Sequence, residues 1–273
     1  MKKFLLATAA VLASSSAFAA DYGVVHPFYT PAKGKVVSTT SFDYENTFTK
    51  DKDGDAKNLD FETTLTETVE YGITDDFQIG ALISKEYEKD KTKGDWGTWN
   101  ERSYYDAWGI SAGYNIINDG KAFLNANLEY QQILVEEKTP FDFGRVHGRY
   151  IELKFFGGYN FDGITAFGGI TYDRQIDSSA KNDEKYKEYD LEAGVFKKIN
   201  DQISARTSLT AEINKTKDDE ERTYWWNVGA EYSIAKNMAV GMNASYMLDN
   251  DKDHGALDDH RAYKVGVDFK VEF

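Results

Sequence analysis

Cysteine is absent from the 273 residues. No disulfide can staple the fold, and no thiolate can serve as a nucleophile or metal ligand. Proline occurs three times, and Pro27 and Pro31 both precede the first extended segment. Strand interiors are therefore free of a residue that cannot donate to a ladder. Outside the first twenty residues no apolar run reaches the eighteen or so that a membrane-spanning helix requires, and mean hydropathy is −0.59. Basic residues are outnumbered, 32 Lys and Arg against 46 Asp and Glu, for a formal charge of −14 at pH 7. Nucleic acid is not an expected partner of such a chain. No glycine-rich phosphate cradle and no Cys/His metal spacing appears, so no cofactor and no resident metal is expected.

What is present is alternation. Tyr263, Val265, Val267, Phe269, Val271 and Phe273 are apolar, and Lys264, Gly266, Asp268, Lys270 and Glu272 between them are small or charged. Period two means a strand with one apolar and one wet face. At the other end Lys2 and Lys3 precede an apolar run from Phe4 to Leu12 and the small-x-small trio Ala17-Phe18-Ala19, which reads as a secretory signal over residues 1–19. An exported chain whose last strand alternates and ends on Phe resembles a Gram-negative outer-membrane β-barrel. The resemblance implies that the strand ending at Phe273 is the signal read by the barrel-assembly machinery. It also implies outer-membrane lipid and lipopolysaccharide as surroundings, and residues 20–34 as a periplasmic segment before a barrel at 35–273.

The alternation recurs in twelve segments: 35–50, 59–71, 77–87, 104–114, 122–134, 149–159, 164–176, 189–195, 203–213, 224–232, 240–248 and 261–273. Long charged connections at 50–58, 88–100, 136–147, 177–184, 214–221 and 250–259 exchange with short turns at 72–76, 115–120, 160–163, 198–202 and 235–238. The expected fold is all-β, a twelve-stranded antiparallel transmembrane barrel with both termini periplasmic, because only alternate residues need face lipid. Aromatics, 15% of the chain, suit girdles at two interfaces. A secreted sandwich would also alternate, but has no need of long and short connections in strict turn. Glu67 and Asp106 fall on the apolar phase, where a bulge could shift them.

On the polar phase lie Asp43, Glu45, Asp60, Glu62, Glu70, Glu129, Glu152, Asp173, Glu188, Asp190, Glu192, Glu212, Glu231, Asp268 and Glu272, with the bases Lys154, Arg206, Lys264 and Lys270. Carboxylates lining a narrow wet tunnel favour cations. A porin-like, cation-leaning channel for small solutes is the leading expectation. The pore-lining set is Asp43, Glu45, Glu62, Glu129, Glu152, Lys154, Asp173, Glu188, Asp190, Glu192, Arg206 and Glu212. A closed structural or surface-interaction barrel is the alternative, since twelve strands leave little free bore.

Catalysis finds no constellation. The His-x-Ser pair of outer-membrane phospholipases is missing, and His147 has no serine near it in sequence. Asp258-Asp259-His260 only faintly echoes the carboxylate and Asp–His groups of omptin-type proteases. A non-enzymatic barrel is expected. Asp51, Asp53, Asp55 and Glu62 outline a calcium loop, yet the sixth position is Ala56 where the turn wants Gly. Asp249, Asp251 and Asp253 repeat the spacing without a closing Glu. Both read as solvated loop charge. Whether residues 20–34 dangle or plug the lumen is left open by their sequence.

Overall fold

The period-two pattern folds as period two demands. The computed structural model describes residues 28, 30–51, 57–94, 97–138, 143–179, 187–216, 220–252 and 257–273. The expected signal peptide lies outside them. The strands are β1 (Val36–Asp51), β2 (Lys57–Gly72), β3 (Phe77–Gly94), β4 (Gly97–Asn118), β5 (Ala122–Lys138), β6 (Phe143–Phe161), β7 (Ile164–Ser178), β8 (Lys187–Lys198), β9 (Ile203–Lys215), β10 (Glu220–Ala235), β11 (Met238–Lys252) and β12 (Leu257–Glu272). Each pairs antiparallel with its neighbours in sequence, and β1 pairs with β12 from Val37↔Glu272 to Asp51↔Leu257. The sheet therefore closes, which leaves no unpaired edge.

The barrel is inside-out. Ile110, Leu209 and Met242 on the outer face are 57%, 57% and 63% exposed, whereas polar residues such as Thr165, Ser208 and Thr223 are buried. Outward aromatics meet across strands near the long-connection end (Tyr44–Tyr263, Tyr87–Tyr104, Tyr172–Tyr189) and within β6 near the short-turn end (Tyr159–Phe161).

Three short turns share one device. Thr74 Oγ1 accepts from the amides of Asp76 and Phe77, Asp119 Oδ1 from Lys121 and Ala122, and Asn200 Oδ1 from Gln202 and Ile203. A short polar side chain thus satisfies two amides where the chain reverses. The two backbone donors hold the Asp119 carboxyl below its ordinary value. Between β6 and β7, Asp162 and Gly163 take φ of 51° and 88°, the left-handed pair of a two-residue hairpin turn.

One expectation changes. The connections at the other end are shorter than the sequence pattern implied. β3 continues to Gly94 and β4 starts at Gly97, paired with each other across what was expected as the loop 88–100. Strand pairing needs no hydrophobic face, and here acids point in while lysines point out. Asp258, Asp259 and His260 likewise belong to β12 rather than to a loop. In addition, no bulge rescues Glu67 or Asp106. β1–β2 and β3–β4 hold register past both residues, so both acids face outward. Glu67 accepts the hydroxyl protons of Ser38 (2.5 Å) and Thr40. Asp106 pairs at 2.5 Å with Lys85, its direct cross-strand partner.

Candidate functional site

The inward acids fall into rows because the register puts them directly opposite one another. One row runs Lys264↔Glu45↔Glu62↔Glu88 across β12, β1, β2 and β3. Another runs Glu129↔Glu152↔Asp173↔Glu188 across β5 to β8. Asp60↔Asp90 and Asp190↔Glu212 add two more pairs. Like charges directly opposite destabilise a sheet, and a low-dielectric wall strengthens the repulsion.

Few counter-charges relieve it. Lys264 Nζ lies 2.9 Å from Glu45 and 4.5 Å from the Trp225 ring centroid, and Lys154 Nζ lies 2.8 Å from Glu152. Arg206 pairs with Glu192 and stands over the Phe167 ring. Neutral donors meet some of the others: Tyr105 Oη to Glu88 (2.6 Å), Gln131 Nε2 to Glu129 (2.5 Å), Thr64 Oγ1 to Glu62 (3.1 Å), and Asn214 Nδ2 (2.7 Å) and Trp225 Nε1 (3.1 Å) to Glu212. Asp43 sits beside Asn243 and Asp268 near Gly266, where a Cβ would strike its carboxylate.

The polar-phase reading thus places its acids together on the wall, and it missed Glu86, Glu88 and Asp90. Their signal was an alternation of charge sign (Lys85, Glu86, Tyr87, Glu88, Lys89, Asp90, Lys91) rather than of hydropathy. Asp60, Glu88 and Asp90 offer carboxylate oxygens within 4.8 Å of one another, a hard oxygen set able to hold a divalent cation. Of the calcium-loop outlines, Glu62 is in the wall beside Glu45 and Glu88, while Asp53, Asp55 and Asp253 lie outside the described residues.

At the short-turn end the segment before β1 crosses the lumen. Phe28 is 5% exposed and stacks on Phe123, with centroids 5.1 Å apart and planes 10° off parallel. Inward-facing Phe167 and Phe196 complete the cluster, with Phe156 against it. Gly158 leaves room for the Phe28 ring, which a Cβ would approach to 2.7 Å. Asn115 Nδ2 donates to Thr30 Oγ1 (2.9 Å), Pro31 is fully buried, and Gly34 N donates to Gly72 O (2.7 Å). A Cβ on Gly72 would come within 2.4 Å of the carbonyl oxygens of Pro31 and Ala32, so only glycine lets the strap pass. The described part of the segment is a floor to the lumen. Sequence reading could have noticed that Phe123, Phe167 and Phe196 break the rule of apolar side chains outward.

No family model matches the chain, and no curated protein sequence does. Solved structures do match in shape. The translocator domain of the autotransporter NalP from Neisseria meningitidis aligns at a TM-score of 0.63 and 12% identity over 90% of this chain and 91% of its own. An outer-membrane channel from Pseudomonas putida F1 aligns at 0.64 and 12% identity over 92% and 100%. The transport unit of the autotransporter AIDA-I from Escherichia coli aligns at 0.60 and 15% identity over 98% and 97%. The chain thus has the fold of the Gram-negative outer-membrane β-barrels, in a twelve-stranded form.

Proposed function

We propose that this protein is an outer-membrane channel that passes small solutes and prefers cations. The observation that carries the reading is the pair of cross-strand carboxylate rows. Such rows weaken the sheet, and mobile cations in the lumen offset that repulsion. The short-turn end, where β1 begins and β12 ends, is assigned to the periplasm and the long-connection end to the cell surface, where acidic side chains face lipopolysaccharide. Phe273 at the end of β12 is assigned to recognition by the barrel-assembly machinery. No catalytic role is proposed.

The test is the reversal potential in planar bilayers under a salt gradient. The wild-type sign should report cation preference and should weaken as salt shortens the Debye length, about 10 Å at 0.1 M. Glu45→Gln, Glu62→Gln and Glu88→Gln together should move the potential toward zero. An anion-selective channel, or one indifferent to all three changes, refutes the proposal. The floor at Phe28 favours a second reading, a barrel held shut. In that case the full chain is silent and only release of the strap brings conductance.

A further inference from the structure

Between the carboxylate rows and the strap the lumen holds a cavity of about 200 Å³, and its chemistry differs from the wall above. Four amides line it, Gln78, Asn115, Asn125 and Asn127, with Thr30 of the strap and Phe156. Its charges balance, Glu70 and Glu192 against Lys154 and Arg206. Arg206 is held by Glu192 and Lys154 by Glu152.

Gln78 is the built element. It is 7% exposed, and its Nε2 donates to Glu70 Oε1 at 3.0 Å. A carboxylate only accepts, so the amide nitrogen must face Glu70 and the oxygen must face away. Gly113 makes room for the side chain: a Cβ there would meet Gln78 Nε2 at 2.9 Å and Cγ at 3.0 Å. Among the described residues Gln78 Oε1 and Asn127 Oδ1, both buried atoms, meet no donor. Buried acceptors left unmet are costly, and a ligand that donates to both recovers that cost.

We propose that this chamber binds one small, uncharged, hydroxyl-rich solute of the polyol or sugar class. Hydroxyls donate to Gln78 Oε1 and Asn127 Oδ1 and accept from the neighbouring amides, and the C–H face of the solute lies against Phe156. The volume holds roughly seven waters, which suits a single such molecule. An anion must pass the carboxylate rows and break an ion pair to stay. A cation finds Glu70 already accepting from Gln78 and Glu192 already paired. The inference rests on the lumen's being open to solutes, and it concerns binding rather than conduction.

The test is calorimetric titration of the full-length barrel in lipid nanodiscs with glycerol, sorbitol and glucose, against gluconate and glucosamine as charged counterparts. At least one neutral solute should bind saturably and more tightly than either charged one. Gln78→Met and Asn127→Ala should each weaken it about five- to tenfold, the loss expected for one hydrogen bond to a buried acceptor. Gly113→Ala should weaken it by displacing Gln78, and reports on the site even if Gln78→Met folds poorly. No saturable neutral binding (water alone meeting the two oxygens), equal binding of charged analogues, or wild-type affinity in the folded variants overturns the proposal. A cation-selective channel without polyol binding refutes this site and leaves the channel standing. A silent barrel that binds the polyol does the reverse.

Discussion

Arginine scanned across adjacent residues Leu209 and Thr210 should separate the two faces of the wall by free energy. Leu209 is 57% exposed on the outer face and Leu128 is 47% exposed. Each stands six residues from the short-turn start of its strand, Ile203 for β9 and Ala122 for β5. A strand rises about 3.4 Å per residue, and barrel strands tilt by about 40°. Six residues therefore climb about 15 Å, close to the middle of an apolar band about 25 Å tall. Leu209→Arg and Leu128→Arg should each cost about 2–4 kcal/mol. Thr210 points inward, opposite Glu192, and accepts from Asn227 Nδ2 at 2.9 Å. Thr210→Arg loses that bond, worth about 1 kcal/mol, and gains carboxylate neighbours, so its net effect should stay within about 1 kcal/mol. Phe161→Arg, at the end of β6, should also cost only about 0–1 kcal/mol because the rim is wet. Folding into lipid vesicles followed by urea titration gives all four values. Equal penalties at Leu209 and Thr210, or a rim penalty as large as the midplane one, would refute the assignment of faces and depth.

Phe28→Ala removes the ring stacked on Phe123 and should free the strap from the lumen while the closed sheet persists. Limited proteolysis should then cut before β1 faster, and single-channel conductance should rise; an unchanged cleavage rate shows that Phe28 does not hold the floor. Phe273→Ser, or deletion of Phe273, should lower outer-membrane yield and leave unfolded chain in the periplasm, with export undiminished. Insertion at the wild-type level, measured on fractionated membranes, would show that the terminal aromatic is dispensable here.

The architecture was legible because a closed sheet between two media writes itself twice. Outward residues such as Ile79, Ile110 and Leu191 must be apolar, and the short turns need Thr74, Asp119 and Asn200 to satisfy returning amides. Twelve strands and the short turns could be read from that alone. Where strands rise beyond the apolar band the rule lapses, since nothing there requires Lys89 or Lys91 to be hydrophobic. That is why β3 and β4 seemed to end early. Glu67 and Asp106 were legible as exceptions, but their resolution lay in cross-strand partners. Ser38, Thr40 and Lys85 became meaningful only once register was known.

The lumen shows the deeper limit. Alternation says that Glu129, Glu152, Asp173 and Glu188 face inward, but it cannot say that they stand shoulder to shoulder. That follows from register, and register makes four scattered acids into one row. The same holds at the floor, where Phe28 reaches inward residues of β5, β7 and β8 from far outside any of them in sequence. The two features also divide the lumen chemically. The rows make one stretch of the wall strongly acidic, whereas the charges nearer the strap balance and amides line the wall there. If the proposed channel is open, passage along this axis would be a change of environment, from an acidic field to a chamber lined by amides, with Thr30 of the strap in contact with the second.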